Sequence, residues 1–242
     1  CFGAASAVAA VAPPDQPEAS QNWQKIRASL FADRRIEPAG SSTIELDTPA
    51  RAEDAAVVPV AVRSLLPADG KLRVDKLWLV IDNNPSPIAG IFEFGPRAAR
   101  PELETRIRID EYTHVRAIAQ LSDGRTVMAT RFVKASGGCS APPGKDAQAA
   151  LATLGRMKLH VEPPVAIGKP VLAQLMISHP NHSGLAMDQL TRQYTPAHYV
   201  RELKISYRGQ PVLSGDVDIS ISENPNFRFW FTPDAPGELK VD

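Results

Sequence analysis

The sequence predicts an all-β fold of two immunoglobulin-like β-sandwiches. Three features point to it. Short segments rich in Val, Ile, Phe and Thr alternate apolar and polar residues. Turn clusters separate them at regular spacing. One stretch of Gly, Ser, Ala and Pro, "GGCSAPPG" over 137–144, divides the series into two sets of strands.

The elements follow in order. "SQNWQKIRASLFADRR" reads as a short N-terminal helix with Ser20 as N-cap and with Trp23, Ile26, Leu30 and Phe31 on one face. Strands follow at "STIELD", "AAVVPVAVRS", "VDKLWLVID", "IAGIFEF", "ELETRIRIDE", "THVRAIAQL" and "RTVMATRFVKA". Pro59 lacks an amide hydrogen, which marks its strand as an edge or a bulge. "NNPSP" is a turn, and "SDG" joins the last two strands as a hairpin. "KDAQAALATLGRM" reads as a short helix closing the Gly/Pro-rich linker. A second set runs through "MKLHV", "KPVLAQLMISH", "HYVRELKISYRG", "QPVLSGDVDISIS", "NFRFWFTP" and "GELKV". The predicted organisation is an N-terminal segment 1–19, a first sandwich 20–136, a linker 137–155 and a second sandwich 156–242. No internal repeat relates the two halves.

Composition narrows the function. Lys+Arg and Asp+Glu both number 27, so the formal net charge is zero. General binding to nucleic acid or to an anionic membrane needs a basic excess. No apolar run is long enough for a transmembrane helix. "CFGAASAVAAVAPPDQPEAS" resembles the end of a signal peptide with a small-residue cleavage site near Ala10 to Ala12, which implies export to the periplasm. Cys1 then has two readings: part of the discarded signal, or a lipidated cysteine.

Cys139 is the one interior cysteine. With Cys1 removed it has no internal disulfide partner, so it must be buried, paired with another molecule, or reactive. Gly137 and Gly138 free the backbone before it, and Pro142 and Pro143 keep the chain after it out of a sheet. This pattern predicts an accessible thiol on a mobile tether: a covalent handle rather than a catalytic nucleophile, since no His or acid stands within the motif. The bland alternative is an incidental linker cysteine. His179 and His182 in "HPNH" have a spacing a metal site can use, but no second Cys or suitably spaced carboxylate joins them. His114, His160 and His198 read as structural or surface residues. "IDNNPSP" lacks the glycine and terminal Glu of a calcium loop. No P-loop, GxGxxG, GxSxG or HExxH is present. No metal and no cofactor is expected, and no enzyme activity.

These residues resemble the SoxYZ sulfur carriers. "NWQKIRASLF", "ELDTPARAEDAAVVPVAV", "LWLVIDNNPSPIAGIFEF" and the terminal "GGC" are similar to SoxY. "ISHPNHSGLAMDQ" and "TPAHYVRELKISYRGQPVLSGDVDISISENPNFRFWF" are similar to SoxZ. The run-on of the two is most similar to the fused carriers associated with quinoprotein dehydrogenases. The resemblance implies immunoglobulin/fibronectin-like sandwiches and sulfur carried on Cys139, with Gly137 and Gly138 as the pivot of a swinging arm. It also implies sulfur-oxidising or quinoprotein dehydrogenase/cytochrome partners, with no PQQ site in this chain itself. The arm departs from the family's Gly-Gly-Cys-Gly-Gly end: here it reads "GGCSAPPG" and a second domain follows. Two other functions compete. One is a non-catalytic module docking on a periplasmic dehydrogenase or cytochrome, which needs "NFRFWF" at a surface. The other is a metal carrier using His179, His182 and Cys139.

Overall fold

The computed structural model describes residues 11–67, 71–141, 152–187 and 191–242. Among the described residues a short 3-10 turn (Pro17–Ala19) and one α-helix, α1 (Gln21–Phe31), precede the strands. The first half contributes β1 (Ile36–Pro38), β2 (Ile44–Asp47), β3 (Val58–Ser64), β4 (Val74–Ile81), β5 (Ile88–Phe94), β6 (Ala98–Ile107), β7 (Thr113–Leu121) and β8 (Thr126–Val133). The second contributes β9 (Met157–Val161), β10 (Val171–Ile177), β11 (Glu202–Tyr207), β12 (Gln210–Val217), β13 (Asn226–Phe231) and β14 (Leu239–Val241). The expected helix over "KDAQAALATLGRM" lies mostly outside the described residues.

The strands form two sheets, and both run through both halves of the sequence. One has the order β1-β8-β7-β4-β5-β12-β11-β14, the other β2-β3-β6-β13-β10-β9. At the seam β5 pairs antiparallel with β12, from Phe94 opposite Leu213 to Gly90 opposite Val217. In the other sheet β6 pairs with β13, with Leu103 opposite Phe229. Period-2 alternation then decides what is inside. Val58, Val60 and Val62 of β3 and Phe227, Phe229 and Phe231 of β13 point inward into a single core that also holds Leu79, Val115 and Leu213. The docking-module reading expects "NFRFWF" at a surface; its three phenylalanines are instead core, and Trp230 is half-buried with the Arg100 guanidinium 4.8 Å from its ring centre.

Pro59 sits opposite Arg106, past the reach of β2, which pairs only with Ala61 to Ser64. Its missing donor therefore faces the sheet's edge, as the sequence predicts. The helix has its expected cap, the Trp23 amide donating to Ser20 Oγ at 3.2 Å. It packs on the outer face of the larger sheet, where Trp23 and Phe31 bury with Trp78, Val80 and Ile118.

Below the helix lies a buried ion pair. Arg116 of β7 donates through Nε and Nη2 to both Asp82 oxygens at 2.8 Å, and both side chains are fully buried. The same guanidinium reaches Pro17 O at 2.6 Å and Glu18 Oε1 at 3.4 Å, and lies 4.3 Å from the centre of the Trp23 ring. The segment before α1 is thus strapped to the sheet by a cation that must stay satisfied once buried.

Candidate functional site

Cys139 lies beyond β8, and the chain reaches it under continuous backbone restraint. Lys134 exchanges hydrogen bonds with the 50–52 segment: its amide donates to Ala50 O at 2.9 Å and its carbonyl accepts from Ala52 N at 3.2 Å. Gly137 then donates to Asp110 O at 2.7 Å and Gly138 to Ile109 O at 2.9 Å. Gly137 has φ +81°, in the left-handed region that glycine tolerates. A Cβ on Gly138 would stand 2.0 Å from the Ala55 carbonyl oxygen. Glycine is required at 138 for a close approach.

This corrects the expectation of an exposed thiol. Cys139 is 1% exposed, although Ser140 beside it is exposed. The physical reason lies in the same two glycines. Without side chains they let the chain sink against Ile109 and Ala55 and take up backbone hydrogen bonds, where the sequence alone suggests only freedom to swing.

The second half of the chain closes over the cysteine. Ser183, buried, donates through Oγ to the Cys139 carbonyl at 2.6 Å. Ser183 belongs to "HPNHSG", whose anchor is Asn181. That side chain is fully buried, donates to Ile221 O at 3.0 Å and accepts from the Val200 amide at 2.9 Å. From the first half, Asn84 of "IDNNPSP" donates to Arg108 O and Ser220 Oγ, both at 2.8 Å, and accepts from the Asp110 amide at 2.9 Å. Arg108 crosses the seam with bonds to Ile219 O at 3.0 Å, Ile221 O at 2.7 Å and Pro180 O at 3.4 Å. A cleft of about 240 Å³ opens beside this junction, lined by Asp54, Arg108, Ala141, His182, Ser183 and Glu223 among others.

The electrostatics follow from burial. Desolvation first, and the Asp110 carboxylate second, push the Cys139 thiol up to about 12, with Arg108 pulling the other way. At pH 7 the thiol is therefore held protonated, so the site as it stands stores it in its less reactive form. Burial likewise lowers the pKa of the Arg108 guanidinium.

The structure brings three of the five histidines together. The His179 and His198 rings meet edge to face with centroids 4.7 Å apart. The His198 amide donates to His182 O at 3.0 Å. His114 lies elsewhere, 3.3 Å from Pro14 O, and His160 is exposed on β9. Among the described residues no group of three or more His, Cys, Asp or Glu side chains is arranged to hold a metal ion. Sequence reasoning missed Arg108, Asn181 and Ser183 as parts of the site. The available signal was the "ISHPNHSGLAMDQ" stretch, similar to SoxZ, which contains Asn181 and Ser183.

The fold and site define an all-β protein whose one described free cysteine is held at the seam of two sequence halves. The comparisons assign those halves. Residues 27–139 match the family model "Sulfur oxidation protein SoxY" and residues 159–242 match "Sulphur oxidation protein SoxZ". The chain thus joins a SoxY domain and a SoxZ domain in one polypeptide, and these domains indicate a family of sulfur-oxidation carrier proteins with sulfur-oxidation enzymes as partners. Among solved structures, the sulfur carrier protein SoxY from Chlorobium limicola f thiosulfatophilum is 26% identical, with TM-score 0.40 over 50% of this chain and 97% of that one. A superoxide reductase (Neelaredoxin) from Ignicoccus hospitalis is 16% identical, with TM-score 0.33 over 51% of this chain and 94% of that one. No curated protein matches.

Proposed function

We propose that this protein is a periplasmic covalent sulfur carrier that holds sulfur intermediates on the thiol of Cys139. It presents them to sulfur-oxidising or quinoprotein dehydrogenase systems. The observation that carries the reading is the position of Cys139: it is the last residue of the SoxY match and closes a Gly-Gly-Cys sequence. In this reading 20–136 is the SoxY-like unit, 137–155 the linker and 156–242 the SoxZ-like unit, whose Ser183 holds the Cys139 backbone carbonyl. Gly137 and Gly138 are the pivot. For the thiol to emerge, the bonds of their amides to Asp110 and Ile109 must open. The quinoprotein partner rests on the fused organisation alone.

The chemistry is a bond between two sulfurs. Joining the Cys139 thiol to a sulfur anion forms one S–S bond and releases one proton and two electrons. A partner redox protein must accept those electrons. The chain itself supplies the attachment atom and its shelter, and the enzymes supply the oxidation and the later cleavage. Among the described residues no helix is long and apolar enough to cross a membrane.

The test is intact-mass spectrometry of protein purified from its own compartment, before and after a thiol reductant, with the adduct mapped. A reducible gain of sulfur, sulfite or thiosulfate on Cys139 is expected, and Cys139→Ser should fold but carry nothing. An unmodified Cys139 in cells supplied with the sulfur source would defeat the reading. The burial of Cys139 also suits the docking-module alternative, in which this cysteine is incidental. Unchanged function of Cys139→Ser would select that alternative.

A further inference from the structure

We propose that His179 and His182, packed with His198, form a proton-responsive latch that keeps Cys139 buried at neutral pH and loosens when His179 and His182 protonate. The latch begins at His179, whose Nδ1 accepts the Asn181 amide hydrogen at 3.0 Å. A neutral ring accepting at Nδ1 carries its hydrogen on Nε2. The next proton must therefore go to Nδ1, and it breaks that bond. Asn181 anchors the loop, and two residues later Ser183 holds the Cys139 carbonyl. Proton uptake at His179 thus acts on the support of Ser183, whose side chain holds the Cys139 carbonyl from the second half.

The other two histidines reinforce it. His198 meets His179 ring to ring and is tied through its backbone to His182, the residue before Ser183. Charging both His179 and His182, three residues apart, puts like charges side by side. The charged groups facing them are few. His182 shares its cleft with the Arg108 guanidinium, which opposes protonation, and with the Glu223 carboxylate, which favours it. Asp54 lines the same cleft, and its Oδ1 accepts from the Ala56 amide at 2.8 Å. Asp110 faces Cys139 itself.

Burial, followed by the neighbouring His198, lowers the pKa of both His179 and His182. The sign follows. The latched state prefers neutral rings, so it is at full strength above the ordinary histidine pKa of about 6.5. It weakens as pH falls below that value towards the lowered ones. Use of the latch to time sulfur exchange rests on the carrier reading; the latch itself does not require a cargo.

The test measures how fast 4,4′-dithiodipyridine modifies Cys139 between about pH 5 and pH 8, each rate divided by that of free N-acetylcysteine at the same pH. The adduct is mapped to the Cys139 peptide. Protection is expected to fall several-fold as pH drops across the histidine range. In a variant with His179→Gln and His182→Gln, protection should be almost independent of pH. A flat profile in the unaltered protein, or an undiminished fall in the variant, would overturn the latch. If the variant does not fold, amide exchange at Gly137 and Gly138 of the unaltered protein decides. Corrected for intrinsic rates, it should speed up by the same factor at low pH, and unchanged exchange counts against the proposal. Absence of any sulfur adduct together with pH-dependent protection would remove the carrier reading and leave the latch standing.

Discussion

Cys139 shows how far one residue's environment can reverse its chemistry. A thiol near an arginine is ordinarily a candidate nucleophile, but burial outweighs Arg108 and raises the pKa. A raised thiol pKa means that folding favours the protonated form. That contribution is complete below the free-thiol value of about 8.5 and is lost as pH rises from there towards about 12. The thermal stability of the unaltered protein should therefore decline more steeply above about pH 8.5 than that of Cys139→Ala, as followed by circular dichroism. Parallel declines would mean that the thiol is not desolvated. Arg108 teaches a related lesson. In "RIRID" it looks like one more solvent-facing residue of an alternating strand, but β6 ends at Ile107 and the next residues turn inward across the seam. Period-2 reasoning fails where the strand stops, and nothing in the local sequence announces the stop.

At the scale of an element, the helix and its strap were partly legible. Ser20 as cap and the Trp23/Phe31 face follow from spacing alone, because both depend on residues three to eight apart. The reason the segment stays on this sheet does not. It depends on Arg116, from a strand about a hundred residues later, and on Asp82, which the sequence presents as the end of a strand and as the acid of "IDNNPSP". Arg116→Met should cost about 3–5 kcal/mol in chemical denaturation, because it leaves the Asp82 carboxylate buried and unpaired. Adding Asp82→Leu should restore most of the loss, since the penalty belongs to the orphaned charge more than to the lost pair. No recovery in the double variant would show that the arginine matters through Pro17 and Trp23 instead.

Across the whole molecule, the seam is the decisive feature. The ladders β5–β12 and β6–β13 and one shared core make the two sequence halves mutually dependent. Unfolding should therefore appear as one transition, with the calorimetric and van't Hoff enthalpies equal and with far-ultraviolet dichroism and tryptophan fluorescence superimposed. Two separated transitions would show that the halves are independent bodies. The seam also builds the site: Asn84, Arg108 and Cys139 come from one half, and Asn181, Ser183 and Ser220 from the other.

The sequence by itself determined the all-β class, the capped helix, nearly every strand and the identity of the cysteine. These depend on alternation, turn chemistry and composition, which are local properties of the chain. Only the tertiary structure decided that the two strand sets share their sheets, that Gly138 packs against Ala55 and that Ser183 closes over Cys139. Each is a contact between residues far apart in sequence, and its outcome depends on which surfaces are left to be buried once the sheets have formed. Glycines beside a cysteine are equally compatible with a free tether and with a close-packed crossing. The balance was set by the carbonyls of Ile109 and Asp110, which accept the amides of Gly138 and Gly137.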